Sequence, residues 1–258
     1  ASPGARRWSL QVRARVARQR PAGSARSKRA RIETNPCASD AIRLRNWLLV
    51  NLLLLCGLRR SEALLLKVTS LQCEVDLATG EMVRWLNVTT SGDSEDHRAT
   101  RPSIKTAESH RQIPISESLA FLCEHYVSEG RADSLDHDFL LTSRGGRPLS
   151  AESVNKALEK LTRALSDQAM KRFQERTGNK RHISPHDLRH TCATAKYRLF
   201  MEHDADRELA LQRMLAFFGW SRTSDMPEVY ARASIQDDLL SACSELFDRR
   251  VAALRAHA

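Results

Sequence analysis

The sequence contains no C-x-x-C pair: its six cysteines, Cys37, Cys56, Cys73, Cys123, Cys192 and Cys243, stand far apart. That spacing argues against a disulfide framework or a zinc ribbon and leaves buried, reduced thiols as the simplest expectation. A long hydrophobic run is also missing. The best one, Trp47 to Cys56, is broken by Asn51 and falls well short of the roughly 20 residues a bilayer requires. The arginine-rich start has no apolar segment behind it, so no secretory signal is legible and a cytoplasmic protein is expected. There is no glycine-rich phosphate loop and no internal repeat, and tyrosine is scarce, with only Tyr126, Tyr197 and Tyr230.

Acidic residues are nearly absent from the first 36 positions, where Glu33 stands alone against ten Lys/Arg. That stretch carries +9 of the net charge of +10, so the rest of the 258 residues is almost neutral and any basic face there must be local. Residues 1–36 have few apolar side chains and a Pro-Ala-Gly-Ser-Ala break at Pro21 to Ala25. They read as a basic arm or linker with a short helix around Trp8 to Arg18. Contact with a phosphate backbone and a plain solvated tail are both open for this arm. Residues 37–258 are long enough for one substantial domain with its own core.

Within that domain, "SDAIRLRNWLLVNLLLL" (Ser39 to Leu55) begins on an N-cap and is apolar on all sides, as a central buried helix would be. Gly57 closes it, and Ser61 with Glu62 opens a short second helix, which leaves Arg59 in a tight turn held on both sides. Short strands are expected at Val83 to Thr90, Arg101 to Thr106 and Arg111 to Ser116, the last two close enough to form a hairpin. From Ser116 onward the pattern is mostly helical, ending in an amphipathic stretch from Ile235 to Leu254. The expected fold class is therefore α+β, mostly helical, with a small antiparallel β-sheet.

The stretch "HISPHDLRHTCAT" concentrates cationic and imidazole groups at one helix start. Ser184 is a cap, Pro185 suits the first helical position, and Asp187 stands three residues after the cap. His186, Arg189 and His190 then share one face beside the positive end of the helix dipole, a place that favours an anion. The i, i+4 histidines also match the spacing of zinc-hydrolase helices. Against zinc, Asp187 is shorter than the glutamate such helices carry, Arg189 would set a cation against the metal, and no third ligand is evident. A structural cap with satisfied histidines remains a further reading.

Cleaving a phosphodiester without a metal needs cations on the non-bridging oxygens, a proton donor for the leaving oxygen and a nucleophile. Arg59 and Arg189 suit the first task, because a guanidinium matches two phosphate oxygens and stays charged. Lys105, in "IKTAESHRQIPI", is placed to serve the second. Packing accounts for Tyr126 and Tyr197. Tyr230, after a Gly-Trp turn and a polar loop, is the best candidate for the third.

In this order the motifs resemble those of the tyrosine recombinases, the phage-integrase family. "CGLRRSEALLL" resembles the first arginine box, "IKT" with "RQIPI" the hairpin lysine, "HDLRHTCAT" the His-x-x-Arg box, and "MLAFFGWSRTSDMPEVY" the box that ends in the nucleophile. The resemblance implies the family's catalytic-domain fold over residues 37–258. Arg59 and Arg189 would clamp the scissile phosphate, Lys105 would protonate the departing 5′ oxygen, and His186 would assist Tyr230, which would form a covalent 3′-phosphotyrosine. Glu62 and His190 would support the site. The implied partner is double-stranded DNA, bound as a homo-tetramer by a chain that is a monomer or weak oligomer alone. No metal, organic cofactor, small-molecule substrate or membrane is implied.

Three features depart from the family pattern. Trp220 stands where most members have histidine, although an indole N–H can still donate to a phosphate oxygen. The segment "LFMEHDADRELALQ" lengthens the interval from Arg189 to Tyr230. The family's N-terminal core-binding domain is not recognisable, the basic arm corresponding only to its linker. The last helix would either dock on a neighbouring protomer or cover its own core. A type IB topoisomerase and a non-catalytic DNA-binding remnant are the alternative functions.

Overall fold

The computed structural model describes residues 39–89, 96, 98–104, 107–132, 135–236, 238, 239 and 243. The basic arm and Lys105 lie outside these residues. The chain divides into two compact units, Ala1–Arg189 and His190–Ala258.

In the first unit, Ser39 caps helix α1 (Asp40–Leu55) by accepting a hydrogen bond from the Ile42 N–H at 3.4 Å. Leu48, Leu49, Leu52 and Leu53 are buried, whereas Trp47 and Leu55 are 47% and 45% exposed, so the helix is not enclosed on every side. Gly57 ends the following turn with φ of +57°, a left-handed conformation that a side chain would penalise. The chain then enters α2 (Arg60–Leu65) directly. Its inward side chains Ala63, Leu64 and Leu65 are buried.

The sheet has three antiparallel strands in the order β1 (Leu71–Val75), β2 (Met82–Val88) and β3 (Arg111–Pro114). Leu71 and Ile113 both face Leu86 across the ladders, and all three are buried. The expected hairpin between residues 101–106 and β3 is not seen in the described part of that stretch: residues 101–104 carry no strand, and β3 pairs with β2. Pro102 has no N–H to give to a ladder. The third strand is β1, where Leu71, Cys73 and Val75 alternate with Gln72 and Glu74. Between β2 and β3, buried Arg98 forks onto Asp96 at 2.8 and 2.7 Å and donates to the carbonyls of Leu64 and Leu149 at 3.1 Å. Its guanidinium lies 4.4 Å over the Phe139 ring, so one side chain ties this long connection to three other segments.

Helices α3 (Glu117–Glu129), α4 (Ala151–Arg163) and α5 (Asp167–Thr177) start on the serine caps Ser116, Ser150 and Ser166. α1 packs on α3, and α2 on α4. α6 (Pro185–Asp204) begins in the first unit and continues into the second.

In the second unit, Asp206 caps α7 (Arg207–Phe218) through the N–H groups of Glu208 and Leu209. Gly219 closes it at φ of +59°, and α8 follows at residues 226–236. The long interval after Arg189 is thus built mainly of helix. Cys192, Tyr197, Met214, Phe218, Trp220 and Tyr230 form the core of this unit. Ile235 and Leu239 are 60% and 62% exposed. Most of the expected helix from Ile235 to Leu254 lies outside the described residues. Cys56, Cys123 and Cys192 are buried, and burial pushes the Cys123 thiol up to about 12, but Cys73 and Cys243 are exposed, contrary to expectation. Cys73 shares a face of β1 with buried Leu71, but the strand runs out of the core after Leu71, and Cys73, Glu74 and Val75 are all exposed. No described helix is long and apolar enough to cross a membrane.

Candidate active site

One buried carboxylate organises the cationic groups of the first unit. Glu62, only 1% exposed, is the third residue of α2 and accepts from the Arg59 N–H at 2.7 Å, which satisfies a donor at the helix start. The same carboxylate accepts from Arg59 Nη1 at 2.7 Å and from Arg111 Nη1 and Nη2 at 3.2 and 3.1 Å. Arg189 Nη1 stands 3.6 Å from it and also donates to the carbonyl of Gly57. The left-handed turn at Gly57 is therefore part of the seat for the second arginine. Capping and arginine orientation are not rival roles for Glu62, because one side chain performs both. Burial by itself would raise the Glu62 carboxyl; the hydrogen bonds and charge of Arg111, the charge of Arg189 and the Arg59 N–H outweigh it and hold the pKa below the ordinary 4.5.

The three guanidiniums differ in access. Arg111 and Arg189 are 5% and 6% exposed, whereas Arg59 is 36% exposed and so presents a cation to solvent. Arg59 Nη1 also donates to Ser109 Oγ at 3.3 Å.

The start of α6 has the expected cap. The Asp187 N–H donates to Ser184 Oγ at 3.3 Å, and the Ser184 N–H donates back to Asp187 Oδ2 at 2.9 Å. Burial would raise the Asp187 carboxyl, but hydrogen bonds from Lys180 and Ser184 prevail and lower it. His186 is exposed and Arg189, one turn later, is buried. Among the described residues no three His, Cys, Asp or Glu side chains cluster as a metal site would need.

In the second unit, Tyr230 lies in an aromatic stack. Its ring is 5.5 Å from that of Trp220 at an interplanar angle of 8°, and 5.1 Å from that of His190 at 57°. Phe218 stacks on Trp220 at 4.7 Å. Exposure does not distinguish the three tyrosines, since Tyr126, Tyr197 and Tyr230 are 1%, 4% and 2% exposed. The Tyr126 hydroxyl is committed to Thr142 at 3.1 Å, in keeping with a packing role.

The phage-integrase family model matches residues 29–236, most of the chain. The chain belongs to the phage-integrase family.

Solved structures similar to this family member include two of the XerH site-specific recombinase bound to difH substrate, one post-cleavage and one pre-cleavage. They share 20% identity, with TM-scores of 0.52 and 0.50, over 82% and 78% of this chain. The XerA recombinase follows at 17% identity and a TM-score of 0.49, over 87% of this chain and 64% of its own. At 20% identity the likeness to XerH is one of fold. The chain spans about half the length of XerH, covering 49% and 47% of it. Among proteins of curated function none matches the chain.

In this family member the structure gathers Arg59, Glu62 and Arg189 in the first unit and places His190 and Trp220 around Tyr230 in the second. Sequence reading missed Arg111 and Ser109. A signal was there: Arg111 and Ile113 lie two apart on one strand and share a face, so an arginine was aimed the same way as a fully buried isoleucine. An enclosed guanidinium needs acceptors, and Glu62 supplies both of its oxygens to Arg111.

Proposed function

We propose that the chain is a site-specific DNA recombinase or integrase that cleaves and rejoins strands through a 3′-phosphotyrosine. The observation that carries this reading is the seating of Arg59 and Arg189 on one buried carboxylate in a member of the phage-integrase family. Arg59 and Arg189 hold the non-bridging oxygens of the scissile phosphate and stabilise the charge that grows there. Tyr230 Oη bonds to phosphorus as the bond to the 5′ oxygen breaks. The phenolic proton passes to His186, and Lys105 protonates the departing 5′ oxygen. The Trp220 indole N–H donates to a phosphate oxygen, and His190 packs the nucleophile ring. A 5′ hydroxyl from a second strand then attacks the phosphotyrosine and joins new ends, so the bond energy is kept and no metal or nucleotide is consumed. The acting form is a homo-tetramer on double-stranded DNA.

Burial of Tyr230 at 2% exposure favours a second reading, a DNA-binding protein of this fold that no longer cleaves. The test is strand transfer: purified full chain, a nicked duplex from the DNA flanking the gene, and an added strand bearing a 5′ hydroxyl. A joined product is expected. A supercoiled plasmid carrying the same DNA is assayed in parallel: its relaxation with no joined product would indicate a type IB topoisomerase, and binding with neither outcome would indicate the non-cleaving reading.

A further inference from the structure

We infer that Arg111 is a positioning residue, one that sets the geometry and charge of Arg59 and Arg189 through Glu62 without touching DNA itself. The inference rests on the proposal that those two arginines hold the scissile phosphate.

The Arg111 side chain, at 5% exposed, is as enclosed as that of Arg189 at 6%, and it is the two-point bonding to Glu62 that sets it apart. Its two terminal nitrogens reach both oxygens of Glu62, Nη1 to Oε1 at 3.2 Å and Nη2 to Oε2 at 3.1 Å. Each of those oxygens also serves a proposed phosphate holder: Oε1 takes Arg59 Nη1 at 2.7 Å, and Oε2 lies 3.6 Å from Arg189 Nη1. The fork of Arg111 thus fixes the plane of the carboxylate on which the other two arginines rest, which a single-point ammonium would not do.

The second effect is electrostatic. One buried negative charge faces three positive ones, and Arg111 takes a share of it at short range. Without Arg111, Glu62 would spend its charge on Arg59 and Arg189 alone, binding them more tightly and weakening what they offer to a phosphate.

A further hydrogen bond extends the network. Arg111 Nη1 donates to the Ser109 carbonyl at 2.8 Å, while Ser109 Oγ accepts from Arg59 Nη1 at 3.3 Å. Buried Ser109 closes the turn Ala107–Ser109 and is four residues after Lys105 in the chain.

The test uses the full chain and the variants R111M, R111K and E62Q/R111M. Two quantities are read: the single-turnover rate of covalent adduct formation on a nicked duplex, beside the affinity for that duplex, and the side-chain Nε–Hε NMR signals of Arg59 and Arg189 in DNA-free protein, assigned with R59K and R189K. R111M is expected to slow adduct formation by roughly 10–100-fold with duplex affinity near wild type, the range seen when a supporting partner of a site ligand is removed. R111K should fall between R111M and wild type. E62Q/R111M should regain part of the rate, because the uncompensated carboxylate is gone. The Arg59 and Arg189 signals should move in both single variants. Wild-type rates with unmoved signals would overturn the proposal, and if R111M does not fold, unmoved signals in R111K overturn it equally. Moved signals in a protein whose wild type forms no adduct would uphold the positioning role and sink the strand-transfer reading instead.

Discussion

Trp220 and Tyr230 lie face to face within 8° of parallel, and Phe218 extends the stack on the far side of the sequence turn made by Gly219. The stack has two consequences that separate folding from chemistry. Trp220→Ala removes the central ring of a buried cluster and is expected to cost about 3–5 kcal/mol, with Trp220→Phe costing less. Tyr230→Phe keeps the ring and removes only a hydroxyl, so its urea midpoint should fall less than that of Trp220→Ala. A Tyr230→Phe protein that unfolds as readily as Trp220→Ala would show that the hydroxyl, not the ring, holds this unit together.

Removal of the Glu62 carboxylate strands buried cations. Glu62→Ala leaves Arg111 and Arg189 without their shared counter-charge and should destabilise the protein by roughly 3–5 kcal/mol. Glu62→Gln, which keeps an acceptor oxygen, should be destabilised less. Equilibrium denaturation of the two variants measures the difference, and equal destabilisation would mean that the neutral acceptor kept in Glu62→Gln contributes nothing, the lost charge accounting for the whole effect.

The lowered pKa of Glu62 gives a sign to the pH dependence. Its carboxyl binds protons more weakly in the folded chain than in the unfolded one, so its stabilisation is complete above the ordinary 4.5 and is lost as pH falls through the lower folded value. Denaturant midpoints from neutral pH down to acid should therefore drop more steeply for wild type than for Glu62→Gln. Parallel curves would contradict the coupling of Glu62 to its arginines.

Much of this is legible in the sequence because it is local. Ser39, Gly57, Ser184 and Asp187 cap or close helices through interactions within a few residues, and Arg59 stands, as its neighbours imply, in the turn between α1 and α2. The partner of β3 is not legible. Residues 101–106 are nearer in sequence than β2, but loop length and apolar content do not encode which strand a ladder selects. β1 escapes a sequence reading although its alternation is present. Arg111 is hidden for a related reason: its partner Glu62 is 49 residues away, and only the fold brings them together. The burial of Tyr230 also depends on packing beyond its neighbours in sequence, since His190 stands 40 residues before it and Trp220 ten.

The charge of the arm makes a prediction that does not depend on the chemistry of cleavage. Residues 1–36 hold ten Lys/Arg and one acid, so their deletion should flatten the plot of log affinity for duplex DNA against log salt concentration. The slope should become shallower by about 0.9 for every phosphate that the arm neutralises in the full chain. An unchanged slope would mean that the arm does not touch the DNA backbone.

The most direct measurement is covalent trapping. The full chain is incubated with a nicked duplex from the DNA flanking its gene, with and without EDTA, and any protein–DNA adduct is digested and mapped by mass spectrometry. The expected result is a 3′-phosphate ester on Tyr230 that forms equally well in EDTA and disappears in Tyr230→Phe. An adduct on another residue, one that persists in Tyr230→Phe, or one abolished by EDTA would contradict the proposed chemistry.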